Sequence, residues 1–244
     1  PNNTKSTKYE HVLPLLASLE ESDEVDGLVL LLNTVGGDIE AGLAIAELVA
    51  GMRLPTVTLV LGGGHSIGVP LAVCGKETFI AHTASMTIHP VRMSGTVIAA
   101  PETYRYFERI RERIVKFVAA HSHISEDRFR QLMLASGDMA NDVGTVLYGE
   151  EAVTLGIIDH VGGLSDALDS LYRQMDRRRE EEGVEGAAGR PLHVLHFFRR
   201  RSRFFLENRG LSLYTNLVIV CNCERGEPYL SKSAGNSGVQ VVSR

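Results

Sequence analysis

Cysteine is scarce in this chain, with three cysteines among 244 residues. Cys74 stands alone, whereas Cys221 and Cys223 form a C-x-C pair. This number and spacing describe neither a disulfide framework nor a zinc site, and they are typical of a reducing compartment. The sequence also lacks any apolar run near the ~18 residues of a transmembrane helix. We therefore expect a cytoplasmic protein.

A surplus of positive charge is also missing. The formal net charge of −5 argues against a general nucleic-acid or anionic-membrane binder, so we expect no nucleic-acid partner. Neither G-x-x-x-x-G-K-[ST] nor a complete G-x-G-x-x-G occurs, and no metal-ligand cluster has a usable spacing, so we expect no cofactor. Hydrophobic residues make up 44% of the chain and charged residues 23%, which is enough to form a substantial core.

Strand and helix patterns alternate along the chain up to residue 175. The apolar run over residues 27–32 is typical of a strand buried on both faces of a parallel sheet. Further strands are predicted at 56–61, 78–81, 85–88 and 157–161, and helices at 9–20, 39–52, 67–74, 101–121, 125–134, 150–155 and 164–175. Residues 95–98 are predicted to be extended and 135–149 irregular. This alternation predicts an α/β architecture with right-handed crossovers.

The composition changes at Asp176. A charged and then Gly/Ala-rich linker leads into residues 190–209, where six arginines are interleaved with four phenylalanines. Such a stretch can contact nucleic acid, an anionic surface or a partner, but no periodic pattern supports an element there. We therefore divide the chain into a folded domain over residues 1–175 and a poorly ordered linker and tail over residues 176–244. The run from Leu213 to Cys221 is compatible with a strand. Because the sequence begins with Pro1 and not with methionine, we also expect a fragment or a processed form.

The stretch with the clearest chemistry is Gly64-His65-Ser66-Ile67-Gly68. A predicted strand precedes it and a predicted helix follows, which is the context in which G-x-S-x-G presents a nucleophilic serine. The start of a helix also leaves free N–H groups and a positive dipole near the serine oxygen. The alternative is a glycine-rich turn that holds a serine without a catalytic role, and this short motif alone does not decide between the two.

A nucleophilic serine needs a base, a group that orients the base, and donors for the oxyanion. His89 is the preferred base because it ends a predicted strand, and strand ends line the ligand crevice of α/β folds. His82 ends another strand and is the second choice, whereas His65 is expected to point away from the site. The orienting carboxylate is expected from Asp142 or Asp138, in the irregular stretch before a short helix. Either aspartate could instead be a turn former.

Two glycine turns predict the oxyanion donors. Gly36-Gly37 and Gly63-Gly64 each follow a buried strand and precede a helix. Adjacent parallel strands would bring the two helix starts together, so the N–H groups of Gly37 and Ile67 would converge on one negative charge. Phosphate binding at the same helix starts is the competing interpretation. The incomplete glycine motif argues against it.

Four ordered motifs carry a family resemblance. They are Asn33-Thr34-Val35-Gly36-Gly37, Gly64-His65-Ser66-Ile67-Gly68, Met86-Thr87-Ile88-His89-Pro90, and Glu151-Ala152-Val153 with Gly156-Ile157-Ile158-Asp159. In order and spacing they resemble the oxyanion loop, serine turn, base strand and E-A…D motif of the Clp protease proteolytic-subunit (ClpP-like) family. The resemblance is strongest to its translocation-enhancing (TepA-type) branch.

The resemblance implies a ClpP/crotonase-type spiral of β-β-α units, in which helix 101–121 is a protruding handle that packs subunits into rings. It implies a serine peptidase with Ser66 as nucleophile and His89 as base. The oxyanion donors would be the backbone N–H groups of Gly37 and Ile67. Asp142 would be the third triad member, although the acidic segment that the family carries before its E-A motif is not reproduced here. Val35 also replaces the proline of the family's oxyanion loop.

The same resemblance implies the partners and substrates. Substrates would be peptides or unfolded segments, with a link to protein translocation or signal-peptide turnover. We expect a homo-oligomeric ring and an ATP-dependent unfoldase as partners, and no cofactor. Two other functions remain open: a crotonase-type acyl-CoA enzyme, which would need carboxylate bases near the oxyanion hole and no serine on the turn, and a non-catalytic scaffold.

Overall fold

The computed structural model describes residues 9–22, 25–92, 99–136, 143–181, 193–195 and 217–222. The helices in these ranges are α1 (Tyr9–Glu20), α2 (Ile39–Ala50), α3 (Gly68–Val73), α4 (Ala100–Ala120), α5 (Glu126–Leu134), α6 (Gly149–Thr154) and α7 (Leu164–Glu181). The strands are β1 (Gly27–Thr34), β2 (Thr56–Gly64), β3 (Glu77–Ile80), β4 (Ser85–Ile88), β5 (Thr145–Tyr148), β6 (His160–Val161), β7 (His193–Leu195) and β8 (Leu217–Asn222).

The sheet is mixed, and its parallel strands surround β2. Strands β1, β3 and β4 each pair with β2 in the parallel sense, and β6 is parallel to β3. Strand β5 runs antiparallel to β4, and the β7–β8 pair adds to the other side of β1, also antiparallel. The architecture is therefore α/β, as the alternation predicts. The spiral of β-β-α units and the handle role of α4 stay predictions.

Helices cover the sheet on both faces. On β1, Leu28, Leu30 and Leu32 belong to a large core that helices α1 to α6 share. Val29 and Leu31 pack with α7 on the opposite face. Successive side chains of a strand point to opposite faces, so two covered faces require an uninterrupted apolar run. Replacing a buried leucine on either face by alanine typically costs about 2–5 kcal/mol.

Several predicted boundaries are wrong, for reasons of long-range pairing. Residues 62–64, predicted as a turn, continue β2, because Gly63 pairs with Ser85 and Gly64 pairs with Thr34. Part of the stretch predicted to be irregular forms β5, since its backbone pairs with β4. The last helix continues to Glu181, and only His160–Val161 of the predicted strand 157–161 is paired. The predicted extended segment 95–98 lies outside the described residues.

Two segments beyond residue 176 take part in the sheet. Strand β8 overlaps the run from Leu213 to Cys221, which is compatible with a strand, but starts later and ends one residue beyond it, at Asn222. Gly27 of β1 pairs with Cys221. Strand β7 pairs with β8 and lies within the arginine- and phenylalanine-rich stretch. The division into a domain over residues 1–175 and a tail over 176–244 stays a prediction. Among the helices described, none combines the length and apolar character needed to cross a membrane.

Candidate active site

Ser66 lies in the tight turn that joins β2 to α3. Its φ angle of 58° is in the left-handed region, which a residue with a side chain rarely adopts outside functional sites. Its backbone N–H donates to the Thr87 carbonyl over 2.8 Å, and its own carbonyl accepts from Val69 N–H over 3.0 Å. These bonds fix the strained residue between strand β4 and the first turn of α3.

The loop after β1 lies directly against this serine. Gly36 has a φ of +99°, and a Cβ atom built on it would stand 2.7 Å from Ser66 Cβ and 3.3 Å from Ser66 Oγ. The Gly36 N–H donates to Thr34 Oγ1 over 3.1 Å, which closes the loop on itself. Both the dihedral angle and the close approach therefore require glycine at position 36.

Gly37 and Ile67, the predicted oxyanion donors, precede the starts of α2 and α3. Asp38 caps α2 by accepting from Ala41 N–H over 2.8 Å, and Ile67 is the residue before α3. Within the described ranges, neither the Gly37 N–H nor the Ile67 N–H donates a hydrogen bond to the protein. Gly37 is exposed, and the space beside its Cα is open for 4 Å. Both donors are thus available to an anionic oxygen.

One cavity of about 180 Å³ brings the predicted residues together. Ser66, His89, Gly37 and Ile67 all line it. The rest of its described lining is mainly apolar and consists of Ile39, Val69, Ile88, Pro90, Val91, Arg92, Ile114, Phe129 and Met133. This lining contains no carboxylate. The structure therefore places the predicted nucleophile, base and backbone donors around the same space.

His89 follows β4 and is held from two directions. Its Nδ1 lies 2.7 Å from the Pro90 carbonyl oxygen. Gly144, at a φ of +138°, packs flat against it, since a Cβ at position 144 would come 2.9 Å from His89 Cβ and would collide with the Ile88 carbonyl. The antiparallel pairing of Ile88 with Thr145 produces this approach. Position 144 therefore also requires glycine.

The two other histidines considered from the sequence have different surroundings. His82 is exposed, lies 3.7 Å from Glu150 and is absent from the cavity lining. His65 is half-buried, and its Nδ1 lies 2.8 Å from Thr87 Oγ1. Burial and then the charge of nearby His89 lower the pKa of His65 below its ordinary 6.5. His89, which lines the cavity, is therefore better placed than His82 to act as the base.

The carboxylate candidates Asp138 and Asp142 lie outside the described residues. Val143 and Gly144 are described and follow Asp142 directly in the sequence, and Gly144 contacts His89. No group of three or more histidine, cysteine, aspartate or glutamate side chains in the described ranges could hold a metal ion.

Sequence reasoning missed the polar residues that support the site. Asn33 Oδ1 accepts the Gly63 N–H over 2.9 Å, at a point where the register between β1 and β2 shifts. Thr87 binds the serine turn twice, through its carbonyl to Ser66 N–H and through its hydroxyl to His65. The backbone carbonyl of Pro90 accepts a hydrogen bond from the ring of His89. The available signal was the presence of polar side chains directly at the ends of apolar strands.

A larger cavity of about 300 Å³ lies apart from these residues, beside the ends of α1 and α7. Its charged side chains are largely paired: Arg53 Nε lies 2.8 Å from Glu20, and Arg179 lies 3.4 Å from Asp26. Its described lining contains no histidine or cysteine. It therefore offers no pair of nucleophile and base.

Comparison with known proteins gives a consistent result. A family model described as Clp protease matches residues 1–164. The chain is 54% identical over 179 residues to the translocation-enhancing protein TepA of Halalkalibacterium halodurans, an alignment that covers 73% of this chain and 70% of that protein. It is 25% identical over 162 residues to the ATP-dependent Clp protease proteolytic subunit of Streptococcus pyogenes, covering 62% of this chain and 76% of that protein.

Proposed function

The chain belongs to the Clp protease family, and on that basis we propose that it is a serine endopeptidase with Ser66 as nucleophile and His89 as general base. The observation that carries this proposal is the shared cavity, which Ser66 and His89 line together with Gly37 and Ile67. The left-handed backbone of Ser66 supports the same role, because such strain persists mainly where it serves a function.

The proposed reaction is acyl transfer in two halves. Ser66 Oγ attacks the peptide carbonyl carbon while its proton passes to His89. The oxyanion that forms accepts hydrogen bonds from the N–H groups of Gly37 and Ile67, which are otherwise unused. His89 then gives its proton to the leaving amine, and a water molecule hydrolyses the acyl-enzyme by the same route. No cofactor takes part in these steps.

A carboxylate completes the proposed site, and Asp142 is the preferred candidate, with Asp138 as the alternative. Asp142 precedes Gly144 by two residues, and Gly144 packs against His89. A negative charge near the imidazolium would stabilise it while it holds the proton from Ser66.

The proposed substrates are peptides or unfolded protein segments, because the described cavity lining is mainly apolar. The name of the H. halodurans relative supports a link to protein translocation or signal-peptide turnover. The S. pyogenes relative is the proteolytic subunit of an ATP-dependent protease, which supports a homo-oligomeric ring and an unfoldase partner. We propose a cytoplasmic location on the same grounds.

The described cavity favours a peptidase over crotonase-type acyl-CoA chemistry. That chemistry would need carboxylate bases beside the oxyanion donors, whereas the described lining presents a serine and a histidine there. A non-catalytic scaffold would leave Ser66 unreactive toward a probe that modifies activated serines.

Reaction with a fluorophosphonate probe tests the proposal directly. We expect the probe to modify Ser66 and no other serine, since only an activated serine reacts. Ser66→Ala should abolish labelling, and His89→Ala should slow it by about 10²-fold or more, the usual contribution of a general base. The matched controls are Ser165→Ala and His82→Ala, which change exposed residues. Mass spectrometry of the labelled peptide identifies the site. A folded, assembled protein that stays unlabelled would contradict the peptidase and support a scaffold.

A further inference from the structure

We propose that the Pro90 carbonyl is the group that orients His89, so that the site works as a Ser66–His89 pair held by the backbone, with the carboxylate in a lesser role. This inference rests on the proposed function. It assigns Pro90 as a positioning residue, because it acts through His89 and not on the substrate.

The hydrogen-bond chemistry fixes the tautomer of His89. A carbonyl oxygen can only accept, so the 2.7 Å contact between Nδ1 and the Pro90 oxygen requires the hydrogen to be on Nδ1. In a neutral imidazole the other nitrogen, Nε2, then carries the free lone pair. That is the form in which a histidine accepts the proton of a nucleophilic serine.

The surroundings of this bond restrict its geometry. The pyrrolidine ring of Pro90 fixes its own φ angle, and a residue that precedes proline is confined to extended conformations. Gly144, directly before β5, packs against the backbone and Cβ of His89. The Thr87 carbonyl also binds the Ser66 N–H over 2.8 Å, which couples the base strand to the nucleophile turn. The carbonyl is therefore preorganised to hold His89 before substrate arrives.

The bond from His89 to the Pro90 carbonyl takes over one of the two roles that a carboxylate has in such a site. In a Ser-His-Asp triad the aspartate sets the histidine tautomer, and its replacement by asparagine lowers kcat by about 10⁴. Here the Pro90 carbonyl already accepts the hydrogen on Nδ1, so we infer that it sets the tautomer itself. Asp142 or Asp138 then contributes only by stabilising the charge of the imidazolium.

The first test removes both candidate carboxylates. In the double variant Asp138→Asn/Asp142→Asn, we expect the rate of fluorophosphonate labelling to fall by roughly two- to tenfold, well short of the 10⁴-fold effect of a triad aspartate. Asp169→Asn, an exposed carboxylate on α7, is the matched control. A loss of 10³-fold or more in the folded double variant would overturn the proposal.

The second test reads the tautomer itself. In ¹⁵N NMR of histidine-labelled protein, with His89→Gln to assign the signal, we expect a protonated Nδ1 and a bare Nε2 at His89. The double aspartate variant should keep this pattern, whereas a change to a protonated Nε2 would contradict the proposal. The same spectrum of Ser66→Ala reports on His89 without any activity. Absence of labelling in the wild-type protein would therefore reject the proposed function, and this spectrum would still test the orientation.

The third test weakens the acceptor and does not depend on how the aspartate variants fold. Replacing Val91 by its α-hydroxy acid analogue turns the 90–91 amide into an ester, whose carbonyl is a poorer acceptor. We expect labelling to slow by about tenfold or more and the tautomer preference to weaken. The same replacement at position 92, which alters the Val91 carbonyl, is the control. Equal rates for the two esters would overturn the proposal.

Discussion

The two halves of the site are supported in different ways. Ser66 belongs to a turn between elements that are adjacent in sequence. Its neighbour Gly36 comes from the loop after β1, the strand that runs parallel to β2. His89 depends on Pro90 beside it and on Gly144, which an antiparallel strand brings from far along the chain. The proposed nucleophile is therefore encoded by a local motif, whereas the position of the proposed base is a product of tertiary pairing. The following predictions test that difference.

The largest effect is expected on the nucleophile side, from Gly36→Ala. The new Cβ would collide with Ser66 Cβ, and alanine is strained at a φ of +99°. We expect fluorophosphonate labelling to fall by about 10³-fold, together with a loss of about 1–3 kcal/mol in the free energy of unfolding. The folding control is Gly163→Ala, because Gly163 lies outside the cavity lining and a Cβ there would lie 3.9 Å from Asp166 Oδ2, an ordinary contact distance. Labelling at the wild-type rate would show that the loop does not constrain Ser66.

A smaller effect is expected on the base side, from Gly144→Ala. The added methyl group would push on the Ile88 carbonyl and on His89 Cβ, and so displace the imidazole from Ser66. We expect labelling to fall by about 10²-fold, as for loss of a general base. Gly156→Ala is the control, because Gly156 has a φ of +72° and contacts His123 outside the cavity lining. If both variants lost labelling equally, general destabilisation and not His89 would be the cause.

The smallest expected effect is on the pH dependence of the free energy of unfolding, and it comes from His65. The pKa of His65 is lowered by burial and by the charge of His89, so the unfolded chain binds a proton more readily than the folded protein. The stability that neutral His65 provides is therefore present above about pH 6.5, the pKa of an unperturbed histidine, and is lost as the pH falls. His65→Gln should flatten the decline in unfolding free energy between pH 7 and 5, measured by denaturant titration. A decline in His65→Gln as steep as in the wild-type protein would contradict this prediction.

Local patterns predicted the elements better than the contacts between them. The apolar run of β1 was identifiable because both its faces are buried. The start of helix 125–134 was identifiable because serine is a favoured capping residue, and the Ser125 hydroxyl accepts from Arg128 N–H. Strand β5 was missed because its pairing with β4 depends on residues far apart in sequence. The same pairing holds His89, so the surroundings of the base were beyond prediction even though His89 itself was named.

The support of Ser66 shows the same limit within the site. The bond from Asn33 to Gly63 depends on a register shift between two parallel strands, which composition does not encode. The predicted turn at residues 62–64 failed for that reason: glycines that suit a turn here continue a strand. The third member of the proposed triad, Asp142 or Asp138, stays a prediction.

The pairing of β8 with β1 also affects the order in which the chain can fold. Strands β1 and β2 are available early in synthesis, and their parallel contact requires only the helix between them. The other edge of β1 stays unpaired until residues 217–222 have been synthesised, because its partner is β8 and Gly27 pairs with Cys221. During that interval an apolar strand presents unpaired backbone groups that other chains can match. The nascent protein is therefore most prone to aggregate after the motifs of the candidate active site have been synthesised and before the sheet is complete.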